Sequence, residues 1–512
     1  MKASNKIIFN TGVLYVRMII TAVLSLLATR WVLKALGSED YGIFNLVAGV
    51  ILMLSFLNTA MSVATQRFLS FAIGEGNETK LRQTFYYSLI LHLFIGIAII
   101  ILFEIGGYFL LYNFLKIPEG KTSLAFFVLH CLSVSTFFTI ISVPYQSVIN
   151  SFENMTFLAF TDVLESILKF LSAFLLIQYL GNRLELYSVL IMSISVLTMI
   201  ITRVYCFKRY AEVTKLKITK ITDYKQFKVI ASYAGWNLIG AVGVIAKGQG
   251  IAIIMNLFLG VIANAAYGIA NQVNGQMSFF SNTILRAIQP QIIKSEGAKN
   301  RSRMLELSLS ACKFPTLMMS CLVIPIIIKM DYILHLWLSK IPDNSVIFCT
   351  LILIYTLIYQ FYHGLELSIH AYGKIKWFQI TTYSIQIMVI PIGYLLLYFG
   401  YKASSILICS IVAGVVNLFV TVYFAKKYCD LDYKYYFNKV LIPISVLIAF
   451  NVLFSYFISQ FFEKFSNNLI SLCVVFMSNT FIICAVGYLC ILTDKERNII
   501  NELALKIKSI LK

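Results

Sequence analysis

Apolar residues in this chain recur in blocks that are separated by short charged stretches. A helix needs about 20 apolar residues to cross roughly 30 Å of hydrocarbon at about 1.5 Å per residue. The blocks predict fourteen spans, near residues 8–29, 41–62, 84–105, 122–149, 158–179, 186–207, 230–259, 262–288, 304–328, 346–372, 377–399, 403–424, 439–461 and 468–492. The predicted fold class is therefore an all-α, polytopic membrane protein.

Composition agrees with this pattern. Of 512 residues, 59% are hydrophobic and 13% are charged, whereas an average soluble domain carries about 25% charged residues. The ten cysteines lie mostly inside apolar blocks without a CxxC pair, which is typical of buried, reduced side chains. HExxH, GxSxG and Walker patterns are absent from the sequence, so neither catalysis nor a bound cofactor or metal is expected.

Basic residues orient the chain. Most of the 42 Lys and Arg residues fall in alternate loops, and such loops face the cytoplasm in membrane proteins. Both termini are therefore predicted to be cytoplasmic. The net charge of +19 includes a dense run at 208–228, which indicates contact with anionic membrane lipids rather than with nucleic acid.

An internal repeat divides the chain. The second span begins YGIFNLVAG at 41–49 and the eighth begins YGIANQVNG at 267–275, and each copy follows a Leu-Gly pair, Leu36-Gly37 and Leu259-Gly260. Chance similarity between apolar helices is the alternative to duplication. Duplication predicts two pseudo-symmetric six-helix lobes at 1–229 and 230–430, related by an axis along the membrane normal, with a site between them at mid-depth. Spans 13 and 14 follow at 431–492.

The last segment, 493–512, places Ile499, Leu503, Ile507 and Ile510 on one helical face. This spacing predicts an amphipathic cytoplasmic tail that lies on the membrane surface.

Basic residues inside the spans are candidates for binding an anion. Arg17 lies about 15 Å into the first span, and Lys247 lies similarly deep in the seventh; Lys169, Arg203, Arg286 and Lys313 are also intramembrane. A charge at this depth costs at least about 2.5 kcal/mol, so it should face water or a partner. Guanidinium and ammonium groups bind phosphate strongly where water is scarce. Glu165 and Lys169 are spaced i, i+4, and mutual neutralisation is the alternative for that pair.

Acidic and histidine residues inside the spans are fewer. They include Asp162, Glu165 and a face of the tenth span formed by His363, Glu366 and His370. These side chains are candidates for coupling transport to H+ or Na+, with hydrogen bonding to a neighbouring helix as the alternative.

Several segments are similar to the bacterial polysaccharide flippases, the Wzx-like O-antigen transporters of the multidrug/oligosaccharidyl-lipid/polysaccharide (MOP) superfamily. They are the stretch from Asn10 to Val50, ATQRFLSF at 64–71, AGWNLIG at 234–240 and QPQIIKS at 289–295. The resemblance implies that the chain moves an undecaprenyl-diphosphate-linked oligosaccharide from the cytoplasmic to the periplasmic leaflet of the inner membrane by alternating access. It further implies that Arg17 and Lys247, with Lys169, Arg286 and Lys313, hold the diphosphate.

Two other functions fit a polytopic chain. A drug or cation antiporter of the same superfamily would favour acidic residues in its cavity, whereas the intramembrane balance here is basic. A membrane glycosyltransferase or O-antigen polymerase would need a sizeable periplasmic loop, and the predicted loops are short.

Overall fold

A computed structural model of the chain describes residues 3–52, 55–113, 117, 120–215, 224–338, 341–463, 468–498 and 501. The described residues are almost entirely helical. The four residues of the predicted tail face, Ile499, Leu503, Ile507 and Ile510, lie outside them.

The described residues of the first half of the chain form seven helices. They are α1 (Ala3–Leu52), α2 (Ser55–Glu75), α3 (Glu78–Asn113), α4 (Thr122–Ser151), α5 (Met155–Gln178), α6 (Arg183–Arg209) and the short α7 (Ala211–Thr214). Asn154 and Asn182 precede α5 and α6, and each side chain accepts a hydrogen bond from a backbone N–H of the first turn. These caps satisfy amides that have no partner within the helix.

In the second half, nine helices are formed by the residues that the structure describes. They are α8 (Tyr224–Gly297), α9 (Arg301–Ile328), α10 (Met330–Trp337), α11 (Ser345–Tyr372), α12 (Lys376–Tyr398), α13 (Ser404–Cys429), α14 (Tyr433–Tyr436), α15 (Ile442–Glu463) and α16 (Asn468–Val486). Single π-helical turns, Phe437–Leu441 and Gly487–Ile491, precede α15 and follow α16.

Each of the fourteen predicted spans corresponds to a helical stretch. Eleven stretches of the described residues are long and apolar enough to cross a membrane. The other three predicted spans are the second, fifth and eighth. They lie in the described residues 38–52 and 55–75, in α5 and in the second part of α8. Polar content explains the difference at α5, because that helix carries Asp162, Glu165 and Lys169. The all-α, multi-pass fold is confirmed.

Two glycines break the two longest helices. Gly37 has φ 78° and ψ 173° inside α1, and Gly260 has φ 75° and ψ −170° inside α8. This backbone region is accessible essentially only to glycine. Both residues are the glycine of the Leu-Gly pair that precedes a copy of the YGI motif. The same break at the same place in each copy supports the duplication inferred from sequence.

The chain divides into two compact units. One comprises Phe9–Ala241, and the other comprises Val242–Lys512 together with Met1–Ile8; they are called the N-lobe and the C-lobe here. The division falls after Ala241, slightly later than the 229/230 boundary expected from sequence. In the N-lobe, α4 packs between α3 and α6, and in the C-lobe α11 packs between α9 and α13.

The two helices that follow the repeats are attached to α9 through polar contacts. The side-chain amide of Asn451 on α15 donates to Asn479 Oδ1 on α16 at 2.8 Å. Asn479 in turn donates to the carbonyl of Cys321 on α9 at 2.8 Å. Buried amides inside a membrane span need such partners, so these contacts fix spans 13 and 14 to the C-lobe.

Candidate functional site: a polar pocket in the C-lobe

Four helices of the C-lobe, α8, α11, α12 and α13, enclose a pocket of about 340 Å³. Its wall carries hydroxyl, amide and charged side chains. The polar lining consists of Lys247, Tyr267, Asn271, Asn274, Ser278, Tyr355, Thr356, Tyr359, Tyr362, Glu366, Thr382, Tyr383, Gln386 and Ser410. A polar cavity within apolar, membrane-spanning helices is the usual position of a transport site.

Lys247 has only neutral partners among the described residues. Its ammonium Nζ donates to Gln386 Oε1 at 2.6 Å and lies 4.2 Å from the centre of the Tyr355 ring. The amide of Gln386 also donates to the hydroxyl of Tyr355 at 3.1 Å. These contacts hold the lysine against α11 and α12 without cancelling its charge.

Glu366 is the acidic residue of the same pocket. Its carboxylate accepts a hydrogen bond from the hydroxyl of Tyr359 at 3.0 Å. His363 packs against the Tyr359 ring at 4.6 Å between ring centres, and its buried Nδ1 has no hydrogen-bond partner. His370 Nε2 lies 3.5 Å from Gln379 Nε2. Of the three residues predicted on this face, Glu366 alone lines the pocket.

No group of three or more His, Cys, Asp or Glu side chains positioned to hold a metal ion occurs among the described residues. The polar atoms of the pocket are instead hydroxyls and amides with one ammonium and one carboxylate. Such a set binds ligands through hydrogen bonds and charge.

The repeat motif contributes directly to this site. Tyr267 and Asn271 of the second YGIxN copy line the pocket. Sequence reasoning used the motif only as evidence of duplication. It also missed the spacing of Tyr355, Tyr359 and Tyr362 with Glu366, which places all four side chains on one face of α11.

Close helix packing explains two glycines of the seventh span. A Cβ atom at Gly243 would lie 3.0 Å from the Tyr383 ring, and one at Gly250 would lie 2.6 Å from Ile390. Both positions lie in helical parts of α8, and the break in this helix is at Gly260. Gly243 and Gly250 therefore allow α8 to pack closely against α12, and the break in α8 lies further along the chain.

In the N-lobe, the two cations expected to hold the diphosphate, Arg17 and Lys169, have acidic partners. The Arg17 guanidinium on α1 forms an ion pair with Asp162 on α5. Lys169 pairs with Glu165 at 2.6 Å, so the neutralisation considered from their spacing is present in the structure. The exposed side-chain fraction is 10% for Arg17 and 43% for Lys169.

Lys313 and Arg286 lie apart from the pocket. Lys313 Nζ is 3.2 Å from the Glu496 carboxylate, and the two side chains are 3% and 11% exposed. The buried acid gives Lys313 a structural partner, which sequence spacing does not reveal. Arg286 is half-buried on α8 and is not part of the pocket lining. Of the five predicted basic residues, the structure therefore brings Lys247 alone into the C-lobe pocket.

Comparison with known proteins shows which family model and which solved structures this chain resembles. Residues 14–175 match the family model MatE. The chain gives no match among curated protein sequences.

Several solved structures share this fold, and two of them are described as transporters. A structure described as MATE in the bent conformation aligns with 16% identity and a TM-score of 0.69 over 84% of this chain and 100% of its own. An outward-facing multidrug resistance MATE family transporter of the MOP superfamily aligns with 15% identity and a TM-score of 0.71. The alignment covers 84% of this chain and 96% of that transporter. A MOP superfamily transporter from Pyrococcus furiosus aligns with 14% identity and a TM-score of 0.70, over 84% of this chain and 96% of its own. It is described as having a binding pocket of reverse polarity that suggests a different function.

The chain thus has the fold of MOP superfamily transporters, with two lobes of six helices. The match to MatE and this fold support the predicted superfamily. Transport is the function described for two of these structural neighbours.

Proposed function

We propose that this protein is a flippase that moves an anionic, lipid-linked glycan, of the undecaprenyl-diphosphate type, from the cytoplasmic to the periplasmic leaflet of the bacterial inner membrane by alternating access. The observation that carries the proposal is Lys247, a cation in a membrane-embedded pocket whose partners are the neutral Gln386 and Tyr355. An ammonium in such surroundings favours an anionic ligand.

The remainder of the pocket suits the same ligand. Phosphate oxygens and sugar hydroxyls both form hydrogen bonds with hydroxyl and amide groups. Asn271, Asn274, Thr356 and Tyr383 present such groups on three of the pocket helices. Aromatic rings add apolar surface for the faces of a sugar. Lys169 and Lys313 are left outside the proposed binding set because Glu165 and Glu496 neutralise them.

The membrane potential supplies a driving force that needs no nucleotide site. Moving one charge across 100 mV is worth about 2.3 kcal/mol. An inside-negative potential therefore favours export of a diphosphate. Coupling to H+ or Na+ through Glu366 would add to this, as an ion taken up at that carboxylate would compensate its charge when the pocket closes.

Export of a cationic drug in exchange for an ion is the second candidate. Glu366 favours it, since its carboxylate faces the pocket with Tyr359 as its hydrogen-bond donor. One MATE structure with this fold is described as a multidrug resistance transporter. The P. furiosus transporter is described as having a pocket of reverse polarity, so pocket charge differs within this fold and is the property to test.

The test is leaflet transfer of a fluorescent undecaprenyl-diphosphate sugar in proteoliposomes. Lys247→Met removes the charge and should reduce transfer about 10- to 100-fold, because a hydrogen bond to a charged group contributes about 1.5–3 kcal/mol. Lys247→Arg should retain part of the transfer. Lys169→Met is the matched control, and its transfer should stay within about twofold of wild type, since an exposed ion pair contributes about 0–1 kcal/mol.

Two outcomes would overturn the proposal. One is wild-type transfer by a folded Lys247→Met protein. The other is absence of lipid transfer by the wild type together with efflux of organic cations that Glu366→Gln abolishes, which would establish the antiporter.

A further inference from the structure

The Arg17–Asp162 ion pair of the N-lobe leaves part of the guanidinium without a partner. The Arg17 side chain is largely buried, with 10% exposed. Its Nη1 donates to a carboxylate oxygen of Asp162, while its buried Nε has no hydrogen-bond partner. Asp162 is the more accessible member of the pair, with 38% of its side chain exposed. A buried cation is thus paired with a partly exposed carboxylate.

The unused donor identifies the kind of ligand that would fit better. A guanidinium presents its N–H groups as a fork, and paired oxygens of a carboxylate or phosphate engage two of them at once. A buried N–H without an acceptor costs about 1–3 kcal/mol. The Asp162 carboxylate engages Nη1 and leaves Nε unsatisfied. A phosphate oxygen pair could accept from both nitrogens.

We propose that Asp162 competes within the protein for the phosphate-binding face of Arg17. In the empty transporter its carboxylate occupies the place that a phosphate oxygen of the substrate takes in the loaded one. The inference rests on the proposed function, and it makes Asp162 a residue that lowers affinity for the diphosphate. Substrate binding exchanges one anion for another on the same cation.

Such an exchange stabilises the transporter when no substrate is bound. A transporter that works by alternating access must also return without substrate, and an unpaired cation within a span then costs at least about 2.5 kcal/mol. Asp162 supplies the missing countercharge on return. Removal of its carboxylate should therefore strengthen binding and slow turnover, two effects of opposite direction.

The test uses the full-length protein in detergent with inorganic pyrophosphate as the probe and calorimetry as the readout. Asp162→Asn should bind pyrophosphate about tenfold more tightly than wild type, a change of about 1.4 kcal/mol, because a competing charged hydrogen bond is lost. Its lipid transfer in proteoliposomes should fall below the wild-type rate. The double variant Arg17→Gln/Asp162→Asn should lose the gain in affinity.

Glu165→Gln is the matched control. It removes one negative charge three residues further along α5, from a carboxylate that pairs with Lys169 instead of Arg17. Pyrophosphate affinity should be nearly unchanged in this variant. An equal gain in Glu165→Gln would overturn the inference, because it would assign the effect to net charge. Asp162→Ser, which also lacks the carboxylate, replaces the asparagine variant if that protein does not fold.

The failure of this inference differs from the failure of the proposed function. Unchanged or weaker pyrophosphate binding by Asp162→Asn, with lipid transfer still dependent on Lys247, would overturn the competition and leave the flippase intact. Absence of both pyrophosphate binding and lipid transfer in the wild type and in Asp162→Asn would overturn both.

Discussion

The two lobes share a backbone feature, but their intramembrane cations differ in their partners. Gly37 and Gly260 adopt nearly the same dihedral angles at the same point before each YGI motif. In the N-lobe, Arg17 and Lys169 each have a carboxylate partner on α5. In the C-lobe, Lys313 likewise has an acidic partner, whereas Lys247 donates to the neutral Gln386. Duplication has thus kept the constraint on the main chain while the charged side chains diverged.

The comparison shows that burial alone does not separate a structural cation from a functional one. Lys313 is more deeply buried than Lys247, yet Glu496 compensates its charge. Removal of one member of a buried ion pair is strongly destabilising, because the other member is left charged and unpaired. The partner is therefore the property that distinguishes Lys247 from Arg17, Lys169 and Lys313.

The largest effect on stability is expected at Lys313. Lys313→Met leaves the Glu496 carboxylate largely buried and should reduce the free energy of unfolding by about 3–5 kcal/mol. Denaturant unfolding in detergent measures the loss. Lys169→Met in the N-lobe should cost no more than about 1 kcal/mol, since the two side chains of that pair are 43% and 38% exposed.

The double variant Lys313→Met/Glu496→Gln sharpens this contrast, because it removes both charges and should recover most of the loss. Equal losses in Lys313→Met and Lys169→Met would contradict the distinction drawn between the two ion pairs.

The shared glycines give the second effect. Gly37→Ala and Gly260→Ala should each destabilise the protein by about 1–3 kcal/mol, because L-residues are strained in that backbone region. An added Cβ meets no atom within 4 Å at either position, so the loss would come from the backbone alone. Thermal unfolding of the two variants should give similar shifts.

Gly235→Ala is the control for these substitutions. It lies in a regular part of α8, where a Cβ also meets nothing within 4 Å. Alanine should stabilise the helix there by about 0.5–1 kcal/mol. A loss at Gly37 with none at Gly260 would show that the two lobes do not depend on the same break.

Most of the fold could be predicted from the sequence, because the bilayer imposes a length on every apolar block. The predicted boundaries of the seventh and eighth spans, 259 and 262, bracket the break at Gly260. The repeat was visible because a tyrosine, an asparagine and two glycines recur in register. Three predicted spans fall outside the eleven apolar stretches. Their helices could still be predicted, because polar residues interrupt these apolar blocks only briefly.

The candidate site was only partly predictable. Lys247 was identified as an intramembrane charge, but its contact with Gln386 joins residues 139 positions apart. Arg17 and Asp162 are separated by 145 positions, and Lys313 and Glu496 by 183. Spacing along one helix revealed the Glu165–Lys169 pair and carries no information on partners from other helices. Tertiary packing decides those pairs, and with them which cations remain available to a ligand.

One partner did leave a local signal. Thr493 and Glu496 have the spacing of a capping box, and the Thr493 backbone N–H donates to the Glu496 carboxylate at 2.8 Å. This turn orients Glu496 toward Lys313 and Ser310, whose hydroxyl donates to it at 2.8 Å. The carboxylate of Glu496 therefore joins the segment after α16 to α9, and this set of contacts is called the Glu496 clasp.

The smallest effect is a pH dependence of the Glu496 clasp. Burial would raise the pKa of Glu496, but the positive charge of Lys313 and hydrogen bonds from Thr493 and Ser310 outweigh burial and lower the pKa below its usual 4.5. Well above pH 4.5 the carboxylate is ionised in both folded and unfolded protein, and its full contribution to stability is present. As the pH falls from that value through the folded pKa, the unfolded state binds more protons and the contribution is lost, at up to about 1.4 kcal/mol per pH unit.

Unfolding of wild type and Glu496→Gln between about pH 6 and about pH 3.5, roughly the range over which a carboxylate titrates, measures this loss. The stability difference between the two proteins should narrow on acidification, because the glutamine cannot ionise. Glu306→Gln is the control, since its exposed carboxylate pairs with Lys495 at 3.3 Å and should leave the pH profile parallel to wild type. A constant difference between wild type and Glu496→Gln would mean that the carboxylate charge does not stabilise the C-lobe, and Lys313 would then rejoin Lys247 as a cation available to the substrate.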